Sequence, residues 1–270
     1  MKKIGFLMGT ALATISAFGA SCCAAEGLRP EAIRMMSYNV HHCAGSDRKV
    51  DIPRVAATIL REKPDFVGLQ ELDCRYSGRS GKVDQSAELG RLTGMQATFA
   101  AAIPRPNNGG YGVGVLSKEK PLSVVKLPLP GREPRVLLLC EFKDFWFGVT
   151  HLALQSANRV KSVEIIRRAV EDRASRKPVF LTGDLNANPQ SKTLAALRGF
   201  TTILSKERCR TFHGFKNYSP GSESCIDYVA VSSASPSKFD VRDAYVIEDK
   251  VASDHFPIVV DVVERVKNVE

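Results

Sequence analysis

Polar side chains stand where apolar runs of this chain stop. Asn39 closes Ile33-Arg-Met-Met-Ser-Tyr-Asn39, and Gln70 and Glu71 close Phe66-Val-Gly-Leu69. His151 follows Phe145-Trp-Phe-Gly-Val-Thr150, and Asp184 and Asn186 follow Val179-Phe-Leu-Thr-Gly183. Asp227 sits in Cys225-Ile-Asp-Tyr-Val229, and Asp254 and His255 precede Phe256-Pro-Ile-Val-Val260. Rigid scaffolds present chemistry at strand ends. Any one of these residues alone reads as a turn former or a structural hydrogen bonder. As a set they supply what phosphate-ester hydrolysis needs. Glu71 and Asp254, with the Asn39 carbonyl nearby, offer hard oxygen ligands suited to Mg²⁺ or Mn²⁺. Such an ion polarises a phosphoryl oxygen and offsets developing charge. A carboxylate such as Asp184 orients and deprotonates a water. Imidazolium and amide donors stabilise the equatorial oxygens of the transition state.

The elements that must position these residues alternate between β and α periods. Strands are expected over Ile33–Val40, Asp65–Leu72, Met95–Ala102, Tyr111–Ser117, Leu122–Leu127, Arg135–Phe142, Phe145–Leu152, Pro178–Thr182, Cys225–Ser232, Val241–Glu248 and Phe256–Val263. Asp51 caps a helix that tolerates Pro53 in its first turn and runs to about Lys63. Shorter helices are expected over Asp84–Leu92 and Ser191–Leu197. Asn158–Arg173 is amphipathic, with Val160, Val163, Ile166 and Val170 at helical spacing. Its Arg159, Lys161, Arg167 and Arg168 read as a solvated face. Asn107-Asn108-Gly109-Gly110 marks a loop. No repeat or linker divides the chain, so residues 26–270 read as one domain.

Residues Met1–Ala25 read as a signal peptide: Lys2 and Lys3, an uncharged apolar run from Ile4 to Ala20, then small residues before Glu26. The protein is therefore expected to be secreted or periplasmic. Gly19 or Ala20 stands where a lipoprotein signal prefers a larger aliphatic residue, which argues against lipid anchoring at Cys22 or Cys23. No later run has the ~18 apolar residues of a spanning helix. With 44% hydrophobic and 25% charged residues over 270 positions, the composition excludes disordered, collagen-like and coiled-coil chains. The formal charge of +9 favours anionic partners or serves solubility. Export exposes the thiols to an oxidising compartment. Cys43, Cys74, Cys140, Cys209 and Cys225 remain after cleavage, an odd number, and Cys140 in an apolar run reads as a buried free thiol. No CxxC or His/Cys zinc spacing is present.

In this order the motifs resemble the endonuclease/exonuclease/phosphatase superfamily over essentially the whole mature chain. Ser37-Tyr-Asn-Val40 resembles the opening strand motif, whose Asn arranges metal and water. Pro64-Asp-Phe-Val-Gly-Leu-Gln-Glu71 resembles the second, whose Glu is the metal ligand. Thr150-His151 resembles the strand end that contacts the scissile phosphate. Gly183-Asp-Leu-Asn186 matches GDxN, in which the Asp activates water and the Asn binds phosphate. Ile226-Asp-Tyr228 resembles the motif whose Asp orients the last His, and Ser253-Asp-His255 the terminal motif of metal-assisting Asp and phosphate-holding His. The likeness is nearest to exported bacterial metal-dependent hydrolases, with His41-His42 after the first motif and Arg79-Ser80 and Asp84-Gln85 after the second. It implies an α/β fold, a four-layer sandwich of two mixed β-sheets with outer helices, and a site at one edge.

Several finer expectations follow. Asp227, a carboxylate in an apolar run, needs a partner, and His255 needs a fixed ring, so the two should pair. Because the Asn39 and Glu71 motifs converge on one metal, Cys43 and Cys74 should lie close enough for a disulfide, and Cys209–Cys225 should form a second. His41 and His42 are substrate donors or supports; side chains of adjacent strand-end residues point apart, which disfavours zinc. Arg135 either contacts substrate phosphate or is a solvated strand-edge arginine. His213 has no motif around it and reads as a surface or loop residue.

The functional expectation is an exported phosphoesterase that hydrolyses a phosphodiester or phosphomonoester by in-line attack of a water activated at Asp184. The alternatives are a secreted nuclease and a noncatalytic phosphate-binding module. Positive charge favours a nucleic-acid substrate, but no basic run is interleaved with aromatics. No exposed aromatic hairpin points to a bilayer. Every motif acid, amide and histidine is present, which argues against the noncatalytic module. No obligate protein partner is implied.

Overall fold

A computed structural model describes residues 32–202, 210–215, 224–232 and 239–265. The described residues open with β1 (Ile33–Asn39), α1 (Ile52–Glu62), β2 (Phe66–Cys74), α2 (Gln85–Thr93), β3 (Gln96–Arg105) and β4 (Gly109–Ser117). There follow β5 (Ser123–Leu129), β6 (Arg135–Glu141), β7 (Trp146–His151), α3 (Ser156–Ala174), β8 (Val179–Asp184) and α4 (Lys192–Ala196). The described chain ends with β9 (Phe200–Thr202), β10 (Asp227–Ser232), β11 (Phe239–Val246) and β12 (Ile258–Glu264). One sheet has the order β11-β12-β1-β2-β4-β3 and the other β5-β6-β7-β8-β10-β9.

Local chemistry sets the element ends. Asp51 accepts the Arg54 N–H at 2.9 Å and caps α1, which stops at Lys63 in a left-handed conformation. Asp84 caps α2 through the Ala87 N–H, and Gly94 ends it. Asn107 and Asn108 both take positive φ in the β3–β4 turn, so Gly109 and Gly110, expected in the loop, lie in β4 instead. The three-residue β9 carried no sequence signal, being too short to show a period.

The sheets pack face to face. Phe66 of β2 meets Phe142 and Phe145 of the β6–β7 turn and Phe147 of β7 at centroid distances of 4.7, 5.0 and 5.6 Å. Gly68 lies so close to the opposite sheet that a Cβ there would sit 2.0 Å from Thr182 Oγ1. Ile52, Val55, Ala56 and Ile59 of α1 and Leu89 of α2 cover the outer face of the first sheet. Val163, Ile166 and Val170 of α3 cover the second. The result is the four-layer sandwich expected from the motifs. No helix among the described residues is long and apolar enough to cross a membrane.

Candidate active site

Strand direction explains why distant residues meet. β1 and β2 run parallel through crossover helix α1, with Asn39 opposite Gln70. β7 and β8 run parallel through α3, with His151 opposite Asp184. Both crossovers deliver strand C-termini to one edge of the sandwich. β10 runs antiparallel to β8, so its first residue, Asp227, pairs with Asp184 at that same edge. Asp227 was expected inside a strand starting at Cys225; it stands at the strand's beginning instead. The loop carrying Ser253, Asp254 and His255 arrives before β12, which is antiparallel to β1.

Backbone departures aim the side chains. Leu69 pairs with Gly114 and Leu72 with Gly112, so Gln70 and Glu71 together oppose a single residue. This bulge leaves Gln70 buried and turns Glu71 outward at φ 63. A left-handed conformation without glycine costs roughly 1–2 kcal/mol. At Gly183 a Cβ would meet the Thr150 carbonyl at 2.2 Å, so only glycine lets β8 approach β7 closely enough to set Asp184 beside His151.

Asn39 joins the two halves. Its side-chain NH₂ lies 3.1 Å from Glu71 Oε1, 3.1 Å from Asp184 Oδ2 and 3.4 Å from His255 Nε2. Its amide oxygen accepts the His41 N–H at 3.1 Å, and its main-chain carbonyl accepts the Ser253 hydroxyl at 2.7 Å. Asn39 thus presents donors to the acids, and the Ser253 bond ties the Asp254–His255 loop to the end of β1.

The two central histidines differ in charge. His255 Nδ1 lies 2.9 Å from Asp227 Oδ2. Burial is the largest single influence and disfavours its charged form, but the charge and hydrogen bond of Asp227 together with the Asp184 and Asp254 charges outweigh it and raise the ring to about 10. His255 is therefore an imidazolium near neutrality, with Nε2 facing Asp184 at 3.7 Å. His151 is its opposite. Asn186 donates one amide hydrogen to the Leu152 carbonyl at 2.9 Å, so the other faces His151 Nε2 at 3.0 Å. That nitrogen accepts, and the proton resides on Nδ1. Burial, then the Arg135 charge, hold this ring well below the usual histidine range. Asp184 accepts the Asn186 N–H at 2.8 Å. Burial first, then the Asp227 charge, push its carboxyl up to about 7.

His41, His42 and Cys43 take φ of 46, 43 and 60, a left-handed turn rather than continued strand. The two rings consequently converge, with centroids 4.5 Å apart, where strand geometry would send them apart. Burial, then the Arg79 charge, lower His42 to about 4. Arg135 is not solvated: its side chain is 7% exposed and paired with Glu133 at 2.6 Å.

The structure corrects the expectation of a Cys43–Cys74 bridge. Both are buried free thiols, as is Cys140. Gln85 ties those two loops instead: it donates to the His42 carbonyl at 2.7 Å and accepts the Asp73 N–H at 2.8 Å. Cys225 is disulfide-bonded; Cys209, its expected partner, lies outside the described residues. His213 is buried rather than superficial, stacked on Phe256 at 4.3 Å with Nε2 3.0 Å from the Ser253 carbonyl. Arg159 is no part of a solvated face either. It bonds the Thr193 hydroxyl at 3.2 Å and the Ala153 carbonyl at 3.3 Å, bracing the loops after His151 and Asn186. Neither residue stands in a motif, and no sequence signal marked them.

The donor set suits a hard divalent cation. Carboxylate oxygens of Asp184 and Asp227 lie within 4.8 Å of each other and of a His255 ring nitrogen, and with that ring cationic on Asp227 the carboxylates are the donors. Glu71 and Asp254 are half-buried acids with no cationic side chain bound to them among the described residues. Four carboxylates around one buried histidine cation leave negative charge that a divalent ion would offset.

The sequence model of the Endonuclease/Exonuclease/phosphatase family matches residues 36–255, from β1 to His255. The chain belongs to that family. An endonuclease/exonuclease/phosphatase from Beutenbergia cavernae is 25% identical with a TM-score of 0.67, covering 89% of this chain and 73% of its own. A mannosyl-6-phosphatase from Bacteroides thetaiotaomicron is 21% identical with a TM-score of 0.67, covering 86% and 99%. A D. rerio protein in complex with a single-strand DNA product is 19% identical with a TM-score of 0.65, covering 86% and 98%. Asn39 lies near the start of the matched segment and His255 at its end, with Glu71, His151, Asp184 and Asp227 between them.

Proposed function

We propose that the protein is a divalent-metal-dependent phosphoesterase, exported by the leader Met1–Ala25, with its reaction centre at the Asn39 junction. The observation that carries this reading is the Asn39 amide linking Glu71 and Asp184, each at 3.1 Å, beside the Asp227–His255 pair. Glu71 and Asp254 would hold the ion, in our reading Mg²⁺ or Mn²⁺. When bound, it supplies Lewis-acid polarisation of the phosphoryl oxygen and charge compensation.

The remaining chemistry belongs to side chains. Asp184, raised toward neutrality, is suited to take a proton from an attacking water. Asn39 holds that carboxylate in place. His255, kept cationic by Asp227, donates from Nε2 to the phosphoryl oxygens as charge builds. Asn186 fixes the His151 tautomer. Arg135 sits buried beside His151 and offers positive charge to the phosphate, with His41 and His42 lining the approach. A small phosphate ester, mono- or diester, is favoured as substrate over nucleic acid, because Arg159, Arg167 and Arg168 of α3 are engaged within the molecule. Arg167 and Arg168 pair with Glu164 and Glu171, and Arg159 braces loops.

Purified protein assayed with p-nitrophenyl phosphate and bis-p-nitrophenyl phosphate tests the proposal. Turnover of one of them with Mg²⁺ or Mn²⁺, abolished by EDTA and by Asp184→Asn, is expected. Metal-independent turnover, or none with either ester, refutes it.

A further inference from the structure

Beyond Glu71 the chain builds a second polar group that the reaction above does not use. The segment after β2 lies against the β3–β4 hairpin, and Asp73 pairs with Tyr111 across the sheet. The rings of Tyr76 and Tyr111 are 5.8 Å apart. Two guanidinium groups lie over Tyr76, Arg105 at 4.8 Å and Arg79 at 5.6 Å, and Arg79 is also 5.7 Å from the Tyr111 ring. Arg105 donates to the Tyr76 hydroxyl at 3.4 Å.

The shelf is rigid at its root and open at its tip. Arg79 makes a two-pronged bond to Asp73, at 2.7 and 2.8 Å. The Asp73 side chain is 0% exposed and the Arg79 side chain 44% exposed. Gln85, fully buried, holds the Asp73 N–H. A planar guanidinium fixed this way loses little freedom when it binds an anion. Asp73 balances the Arg79 charge, whereas Arg105 has no carboxylate partner among the described residues, so the shelf carries net positive charge. Cations already lie over the Tyr76 ring, so the shelf offers N–H donors rather than an open aromatic face for stacking a base. It also adjoins the reaction centre: the charge of Glu71, two residues before Asp73, acts on both Arg79 and Tyr111.

We propose that Arg105 and Arg79, stacked on Tyr76, form a second anion subsite that takes an acidic group carried by the leaving group. The preferred substrate is then a small phosphate ester bearing a second phosphate or a carboxylate. The proposal rests on the phosphoesterase reading.

Calorimetry on Asp184→Asn protein with Mg²⁺, which holds ligands without turnover, tests it. The probes are glucose 6-phosphate, glucose 1,6-bisphosphate and 6-phosphogluconate; the last two separate a second phosphate from a carboxylate. At least one doubly acidic probe should bind about tenfold more tightly than glucose 6-phosphate. Adding Arg105→Gln should bring that ratio within about twofold of unity and leave glucose 6-phosphate affinity unchanged. In otherwise wild-type protein, Arg105→Gln should leave turnover of the p-nitrophenyl ester unaltered, which also reports folding. A ratio near one in the parent, a ratio that Arg105→Gln does not move, or no binding of any probe overturns the subsite. Failure of the wild type to hydrolyse either p-nitrophenyl ester refutes the phosphoesterase reading itself, so the two failures are distinguishable.

Discussion

Asp227→Asn separates the charge of the Asp227–His255 pair from its shape. The two groups are 1% and 4% exposed and 2.9 Å apart. Asparagine fits the same space, so the fold should survive, with a cost of about 1–3 kcal/mol for the weakened buried bond. Electrostatics should change far more. Burial alone drives His255 toward its neutral form; the Asp227 carboxylate is the strongest opposing influence and brings the ring to about 10. Without it burial dominates and shifts the ring toward its neutral form, which weakens a charged donor to the phosphoryl oxygens. Loss of one such donor typically costs about 10²–10³ in turnover, or ~2.7–4 kcal/mol. Steady-state kinetics at pH 7 with the better p-nitrophenyl ester should show the loss in kcat with KM nearly unchanged. Mg²⁺ affinity should be retained. Because the pair acts as a unit, Asp227→Asn should add little to His255→Ala. Losses that multiply in the double variant, or wild-type turnover in the single one, would refute the reasoning.

Glu71→Gln should weaken Mg²⁺ binding and lower turnover by orders of magnitude, read by metal titration of activity; unchanged metal dependence would place the ion elsewhere. Gln85→Leu strands the His42 carbonyl and the Asp73 N–H, and urea unfolding should show a loss of about 2–5 kcal/mol. Peptide mapping of unreduced, alkylated protein should recover Cys43, Cys74 and Cys140 as free thiols; a Cys43–Cys74 crosslink would contradict the structure. Asp249 accepts from Thr58 Oγ1 at 2.7 Å and from the N–H groups of Val251 and Ala252, which hold it below the usual carboxylate range despite burial. A depressed carboxyl stabilises the fold above its unfolded value near ~4 and loses that contribution as pH falls. Asp249→Asn should therefore destabilise at pH 7, by about 1–2 kcal/mol, with the gap closing in thermal melts as pH falls below the unfolded carboxylate value near ~4.

Much of this molecule was legible along the chain. Elements with a clean period or a capping residue were expected close to where they stand. Asp51 and Asp84 announce α1 and α2 because a side-chain oxygen satisfies free N–H groups only at a helix start. The apolar runs ending in Asn39, Glu71, His151 and Asp184 announce strands buried on both faces, with polar ends where the sandwich meets water. The residues that meet at the edge were named from these endings and from their motif order.

Geometry that depends on neighbours distant in sequence was decided by the tertiary structure. The outward turn of Glu71 comes from a bulge against β4, and the convergence of His41 and His42 from a left-handed turn that Asn39 closes. Chain spacing suggested a disulfide between the loops at Cys43 and Cys74, but Gln85 of α2 fills the interval and leaves both thiols buried. The opposite charge states of His151 and His255 follow from their surroundings, burial and the Arg135 charge for one and the Asp227 carboxylate for the other. Sequence alone established residue types, strand ends and family, because propensity, caps and motif order are local or one-dimensional. Register, burial and protonation emerged only in the fold, because each is set by the atoms that packing brings within a few ångströms.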